Sequence, residues 1–171
     1  MKKTLYFLFL SAIAFCFSSC ELFGNIGNNE DTTPTLPDEE DYDFTPSGTI
    51  DGHDYVDLGL SVAWATCNLG AAKYEEVGDY YAWQETTPIN SLTYINYQLK
   101  FNPCNQDNIL SSKYDAARMN WGKEWRMPTY EEQDELCSKC TWKFVHDFQG
   151  TGVSGCIIRS KSSHKAIFLP V

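Results

Sequence analysis

Apolar and polar positions divide the chain into three stretches of different character. Residues 4–17 are weakly polar to apolar almost without interruption, residues 21–47 hold little that could form a core, and residues 48–171 alternate or cluster apolar positions between turn formers. Within the last stretch, Val62, Trp64 and Thr66 alternate, which predicts a short strand with one face buried. Gly78-Asp79 followed by Tyr80, Tyr81, Ala82 and Trp83 predicts a second, because β-prone aromatics follow a turn-forming pair. From Gln84 to Ser112 the pattern dissolves into a long polar loop carrying Tyr94, Tyr97 and Phe101. A helix is expected over Tyr114–Trp121, stopped by Gly122. Thr129 with Glu132 three residues on forms a capping box for a second helix, expected to run to about Cys140 and to bury Leu136, Cys140 and Gln133. Trp142–Phe148, Val153–Arg159 and Lys165–Leu169 then read as three strands of an antiparallel sheet. The expected fold class is α+β, with short antiparallel strands and two short helices.

The first stretch has the layout of a secretory leader: a cationic Met1-Lys2-Lys3, an apolar run, and small residues Ser18-Ser19 before Cys20. The run is short for a membrane-spanning helix, which needs about 20 apolar residues. Phe17 at the third position before Cys20 does not suit an ordinary signal peptidase, which takes small residues there. The segment resembles the lipobox of bacterial lipoproteins, although Phe17 stands where that pattern usually has Leu. The resemblance implies a leader over 1–19, acylation of the Cys20 thiol and a mature chain that begins there. Each buried acyl CH₂ contributes about 0.8 kcal/mol, so a multiply acylated terminus holds a bilayer stably.

Charge changes the picture of the middle stretch. The chain carries a formal −10, of which Lys2 and Lys3 contribute +2 and eight acids in residues 21–47 contribute −8. That leaves 11 basic and 15 acidic side chains, or −4, for residues 48–171. One-signed charge with low hydropathy predicts a disordered, extended tether over residues 20–47. The mildly acidic remainder offers no basic footprint, so no nucleic-acid partner is expected.

Further along, Asp115-Ala116-Ala117, Asn120-Trp121-Gly122, Trp125-Arg126-Met127-Pro128-Thr129 and Glu132 resemble the core of the Fibrobacter succinogenes major paralogous domain. Residues 55–68, Gly78–Thr87, Cys140-Thr141-Trp142 and Ile167-Phe168-Leu169-Pro170 are similar to other parts of that domain in Bacteroidetes lipoproteins. The resemblance spans residues 53–171 and implies a C-type-lectin-like fold, akin to formylglycine-generating enzymes. It also implies a longer domain than the 124 residues of 48–171, hence an incomplete C-terminal half with an unpaired sheet edge. The calcium, sugar and catalytic cysteine positions of those relatives lie mostly in the later region, so none is carried over.

Chemistry-bearing residues are sparse. Setting aside Cys16 and Cys20 leaves Cys67, Cys104, Cys137, Cys140 and Cys156; an exported protein retains disulfides, so one or two bridges and a leftover thiol are expected. Cys67 and Cys140 lie in family-like segments, which makes them the preferred pair. Cys137-Ser-Lys-Cys140 has CxxC spacing but sits at a helix end, where no dipole lowers a thiol pKa. His53, His146 and His164 read as isolated surface histidines, and Glu131, Glu132, Asp134 and Glu135 as a solvated helix face. Arg126, at a helix entrance, is expected to pair with Asp115 or Glu132. Most aromatics are assigned to the core, with Tyr94 and Tyr97 as candidate ligand-stacking residues. No catalytic residue, metal site or cofactor is expected. The expected protein is a non-enzymatic lipoprotein of the cell envelope, held to the outer membrane by lipid and binding glycan or protein. The alternatives are a degenerate fragment of a longer paralogue and a thiol or formylglycine-type oxidase.

Overall fold

A computed structural model describes residues 41–89 and 104–171, together with the backbone of Lys3–Thr4. Among the described residues, seven strands and two α-helices follow in the order β1 (Lys3–Thr4), β2 (Gly48–Ile50), β3 (His53–Val56), β4 (Ala63–Ala65), α1 (Ala116–Trp121), α2 (Tyr130–Lys139), β5 (Cys140–Val145), β6 (Gly155–Ser160) and β7 (Ala166–Pro170). The first sheet has the order β1-β4-β3-β2, with β1 parallel to β4 and the other pairs antiparallel. The second, β5-β6-β7, is antiparallel throughout. The class is α+β.

The β2–β3 hairpin was not expected from the pattern of apolar positions. Asp51 and Gly52 both take positive φ, 50° and 81°. That is the two-residue turn whose twist matches paired strands, and an Asp-Gly dipeptide is its strongest short signal. The expected strand at 62–66 shrinks to β4, and both its faces are covered. Trp64, 0% exposed, points into one apolar cluster with Leu136, Ile158 and Ile167, while Ala65 joins a second with Ala117, Trp121 and Trp125.

Residues 78–83 form no strand. Gly78 takes φ 71°, and Asp79 N–H donates to Leu69 O at 2.8 Å while Tyr80 O accepts from Ile89 N–H at 2.8 Å. These loop contacts satisfy the backbone groups that a sheet neighbour would otherwise take.

The helices follow local chemistry closely. Asp115 begins α1 two residues later than the periodicity suggests, because its side chain accepts from Arg118 N–H at 3.0 Å; a 3₁₀ turn over Ser112–Tyr114 precedes it. Gly122, at φ 106°, ends it. Thr129 and Glu132 cap α2 reciprocally as expected, and Leu136 is its buried residue. Cys140 is buried as the first residue of β5, and Gln133 is only half-buried.

The second sheet is sandwiched. Ile158, Ile167 and Leu169 face the Trp64 cluster, whereas Ile157, Ala166 and Phe168 face a third cluster around Phe148. Each fully buried aliphatic side chain contributes roughly 1.5–3 kcal/mol of transfer free energy. The third cluster is closed by Tyr42 and Phe44, which belong to the stretch expected to be tether. Asp43 forms a parallel bridge with Lys165; its N–H donates to His164 O at 2.8 Å and its O accepts from Ala166 N–H at 3.0 Å. The folded domain therefore starts at residue 41 at the latest: residues 41–45 form a strap against the start of β7, and Ser47 crosses to β3, where its N–H donates to Tyr55 O at 2.7 Å. That strap and Pro170, which has no N–H to donate, blunt the sheet edge that was expected to be open.

Candidate functional site

The conspicuous side-chain network surrounds the start of α2, and it is structural. Arg126 is 4% exposed; its Nη1 donates to Glu132 Oε2 at 2.8 Å and to Met127 O at 3.0 Å, and its Nη2 donates to Glu132 Oε1. Glu132 also accepts from Thr129 N–H at 2.8 Å. Burial pulls the Glu132 carboxyl upward, but the bonds from Arg126 and Thr129 outweigh it and hold it below the ordinary value. Of the two expected partners of Arg126, Glu132 is thus the one engaged. Asp115, fully buried, instead caps α1 and accepts from Met127 N–H at 3.0 Å; burial dominates and raises its pKa.

The acidic helix face is only partly solvated. Glu135 accepts from Ser61 N–H at 3.0 Å, from the Ser61 hydroxyl, and from Lys139 Nζ at 2.8 Å, tying α2 to the loop before β4. His53 is likewise no isolated surface residue. It is half-buried and stacked on Trp121, with centroids 4.0 Å apart and planes 12° from parallel, and Trp125 meets Trp121 edge-on at 5.0 Å. Burial lowers the His53 pKa. His146 and His164 are exposed.

Cys67, Cys104, Cys137, Cys140 and Cys156 are all free thiols. Cys67 packs against the Trp125 cluster and Cys140 within the Trp64 cluster, so the anticipated pair is not joined. Burial pushes the Cys140 thiol up to about 11, and raises Cys156 and Cys67 as well. Such thiols are protonated near neutrality and poor nucleophiles. Among the described residues, no group of three or more His, Cys, Asp or Glu is placed to hold a metal ion.

What is shaped to receive something is a groove beside the strap. About 550 Å³ in volume, it is lined by Asp41, Tyr42, Phe44, Val145, Asp147, Phe148, Gln149 and Ile157. Its aromatic wall is a ladder: Tyr42 lies 6.1 Å from Phe44 at a 38° tilt, Phe44 meets Phe148 edge-on at 5.2 Å, and Phe148 stacks on Phe168 at 3.8 Å. Local geometry fixes the far wall, because Asp147 Oδ1 accepts from Gly152 N–H at 2.7 Å and closes the turn after β5. Lys165 Nζ holds the strap, donating to Asp43 Oδ2 and Thr45 O at 2.8 Å each. Its hydrogen bond is the main reason that the Asp43 pKa falls to about 2.

Comparison with protein families, curated proteins and solved structures yields no match. Among the described residues, no helix is long and apolar enough to cross a membrane. Cys20, Tyr94 and Tyr97, which carry the expected lipid and stacking roles, lie outside the described residues. The groove itself was missed in the sequence. Its only local trace is the Tyr42-Asp43-Phe44 alternation inside an acidic run.

Proposed function

We propose that this chain is a non-enzymatic lipoprotein of the cell envelope, acylated at Cys20, that displays a C-type-lectin-like domain to a glycan or protein ligand. The single observation that carries this reading is the order of the N-terminal segments: cationic Lys2-Lys3, the apolar run to Phe17, Ser18-Ser19-Cys20, then acids without a balancing base before the strap. The likeness of residues 53–171 to the Fibrobacter succinogenes major paralogous domain supports the fold part of it. Residues 21–40, 20 in number, could reach at most about 70 Å when extended, enough to hold the strap and groove clear of a bilayer. Cleavage before Cys20 removes Lys3–Thr4 and leaves β4 without its parallel neighbour.

The test is metabolic labelling with an alkynyl fatty acid in a bacterial host. The wild-type chain should incorporate label and shift to the mature size, globomycin should trap the unprocessed form, and Cys20→Ser should remain unlabelled. Label retained by Cys20→Ser, or a processed chain with no acyl group, would overturn the reading.

A further inference from the structure

The outer side of β4 is a sheet edge built without protection of its own. Thr66 N–H donates to Asp54 O at 3.2 Å, so the backbone at residue 66 faces β3. Direction alternates along an antiparallel pair, which turns the N–H and C=O groups of Ala65 and Ala63 the other way, toward Lys3–Thr4. Both alanines are buried with that neighbour in place. Lys3 lies opposite Ala63 and Thr4 opposite Trp64, so an extended backbone fits along this side. A bare edge invites pairing with another chain unless a charge, a proline or a covering segment blocks it. In the second sheet β7 has the strap and Pro170, and β5 carries the exposed Lys143. Ala63-Trp64-Ala65 has neither charge nor proline, and among the described residues the strand on its outer side is β1.

Cleavage of the leader takes β1 away. The outward groups of Ala63 and Ala65 then need new partners, because buried main-chain groups are costly to leave unpaired. A second copy supplies them in register. Two β4 strands set antiparallel about a two-fold axis at Trp64 place Ala63 opposite the second copy's Ala65, and Ala65 opposite its Ala63. Both pairs are of the hydrogen-bonded kind, and every outward group of either strand meets a donor or an acceptor. The outward positions lie one residue to either side of the axis, so the contact is isologous and closes at two copies. Alanine opposite alanine brings no bulk or charge across the new pair. A free peptide could make the same bonds, but it would have to be ordered from a flexible chain. A second β4 is already held extended by its own β3. Two copies anchored in one bilayer also meet at raised local concentration.

We propose that removal of the leader turns β4 into a dimerisation edge, where an antiparallel β4–β4 pair joins two copies into one sheet of order β2-β3-β4-β4-β3-β2. Because the edge is free only once residues 1–19 are gone, this rests on the processing proposed above.

The full chain carrying Cys20→Ser and a protease site inserted between residues 30 and 31 separates leader removal from acylation. In neutral detergent the uncut form should sediment as a monomer and the cut form as a dimer. Amide hydrogen exchange locates the contact. The unassociated fraction of a dimer falls as the square root of concentration, so a roughly hundredfold rise should slow exchange at Ala63 and Ala65 of the cut form by about tenfold. Trp64 N–H, which faces β3, should exchange slowly in both forms at every concentration. A cut chain that stays monomeric would overturn the proposal. So would a dimer in which Ala63 and Ala65 exchange independently of concentration, which means contact through another surface or an edge refilled by the chain's own segment. An uncut form that dimerises as strongly as the cut one would do the same. This comparison involves no acyl group, whereas labelling of Cys20 tests the anchor alone, so either reading can fail by itself.

Discussion

Replacing Arg126 with alanine should cost about 2–3 kcal/mol. The guanidinium is 4% exposed and the Glu132 side chain 13%, so both charges sit largely out of water. Removing one partner of a buried pair typically costs 3–5 kcal/mol, because the remaining charge is left uncompensated. Here the upper figure is softened, since Glu132 keeps the Thr129 N–H bond and some access to solvent. For a domain of this size each kcal/mol is worth roughly 3–5 °C in Tm, so a fall of about 10 °C is expected by calorimetry or circular dichroism. The pH dependence separates charge from packing. Glu132 has a lowered folded pKa, so the pair's contribution is fully present above the unfolded value near 4.3 and disappears as pH falls through the folded one. In Arg126→Ala the burial effect on Glu132 is countered only by the Thr129 bonds, and protonating Glu132 relieves part of the penalty. The gap in Tm between wild type and variant should therefore narrow from pH 7 to pH 4. A double-mutant cycle with Glu132→Gln should return a coupling of at least about 1.5 kcal/mol. A loss under about 1 kcal/mol, or a gap that stays constant with pH, would refute the ion-pair account and leave Arg126 as a packing element.

Two further outcomes are expected. His53 has a lowered pKa in the fold, so neutral imidazole is favoured; the associated stability is present above about 6.5 and declines as pH falls below it. Because the ring lies 4.0 Å over Trp121, its protonation should quench indole emission with a midpoint below 6.5, and His53→Phe should abolish that titration; an unchanged titration in the variant would place the responsible group elsewhere. Phe44→Ala removes the ring that bridges Tyr42 and Phe148, and urea unfolding should show a loss of roughly 1.5–3 kcal/mol; a neutral result would mean that the strap rests on the domain without stabilising it.

What could be read from the sequence is what nearest neighbours along the chain decide. Thr129 and Glu132 cap α2 through bonds made within one turn, Gly122 stops α1 through its own backbone freedom, and the three strands after Cys140 are separated by turn residues of their own. Even the β2–β3 hairpin was legible in Asp51-Gly52, although the apolar pattern around it was too weak to draw notice. Tertiary structure decided the rest. Tyr80, Tyr81 and Trp83 have the composition of a strand, but the Asp79 N–H and Tyr80 O are taken by loop partners, and the alternation at 62–66 could not reveal that a second cluster covers the other face of β4. The strap is the clearest instance. Tyr42 and Phe44 sit among acids that read as solvated tether, and they become core only because Asp43 reaches Lys165 and Phe44 meets Phe148. Composition averages over a window, whereas burial depends on partners more than 100 residues away, and the groove exists only where those partners meet.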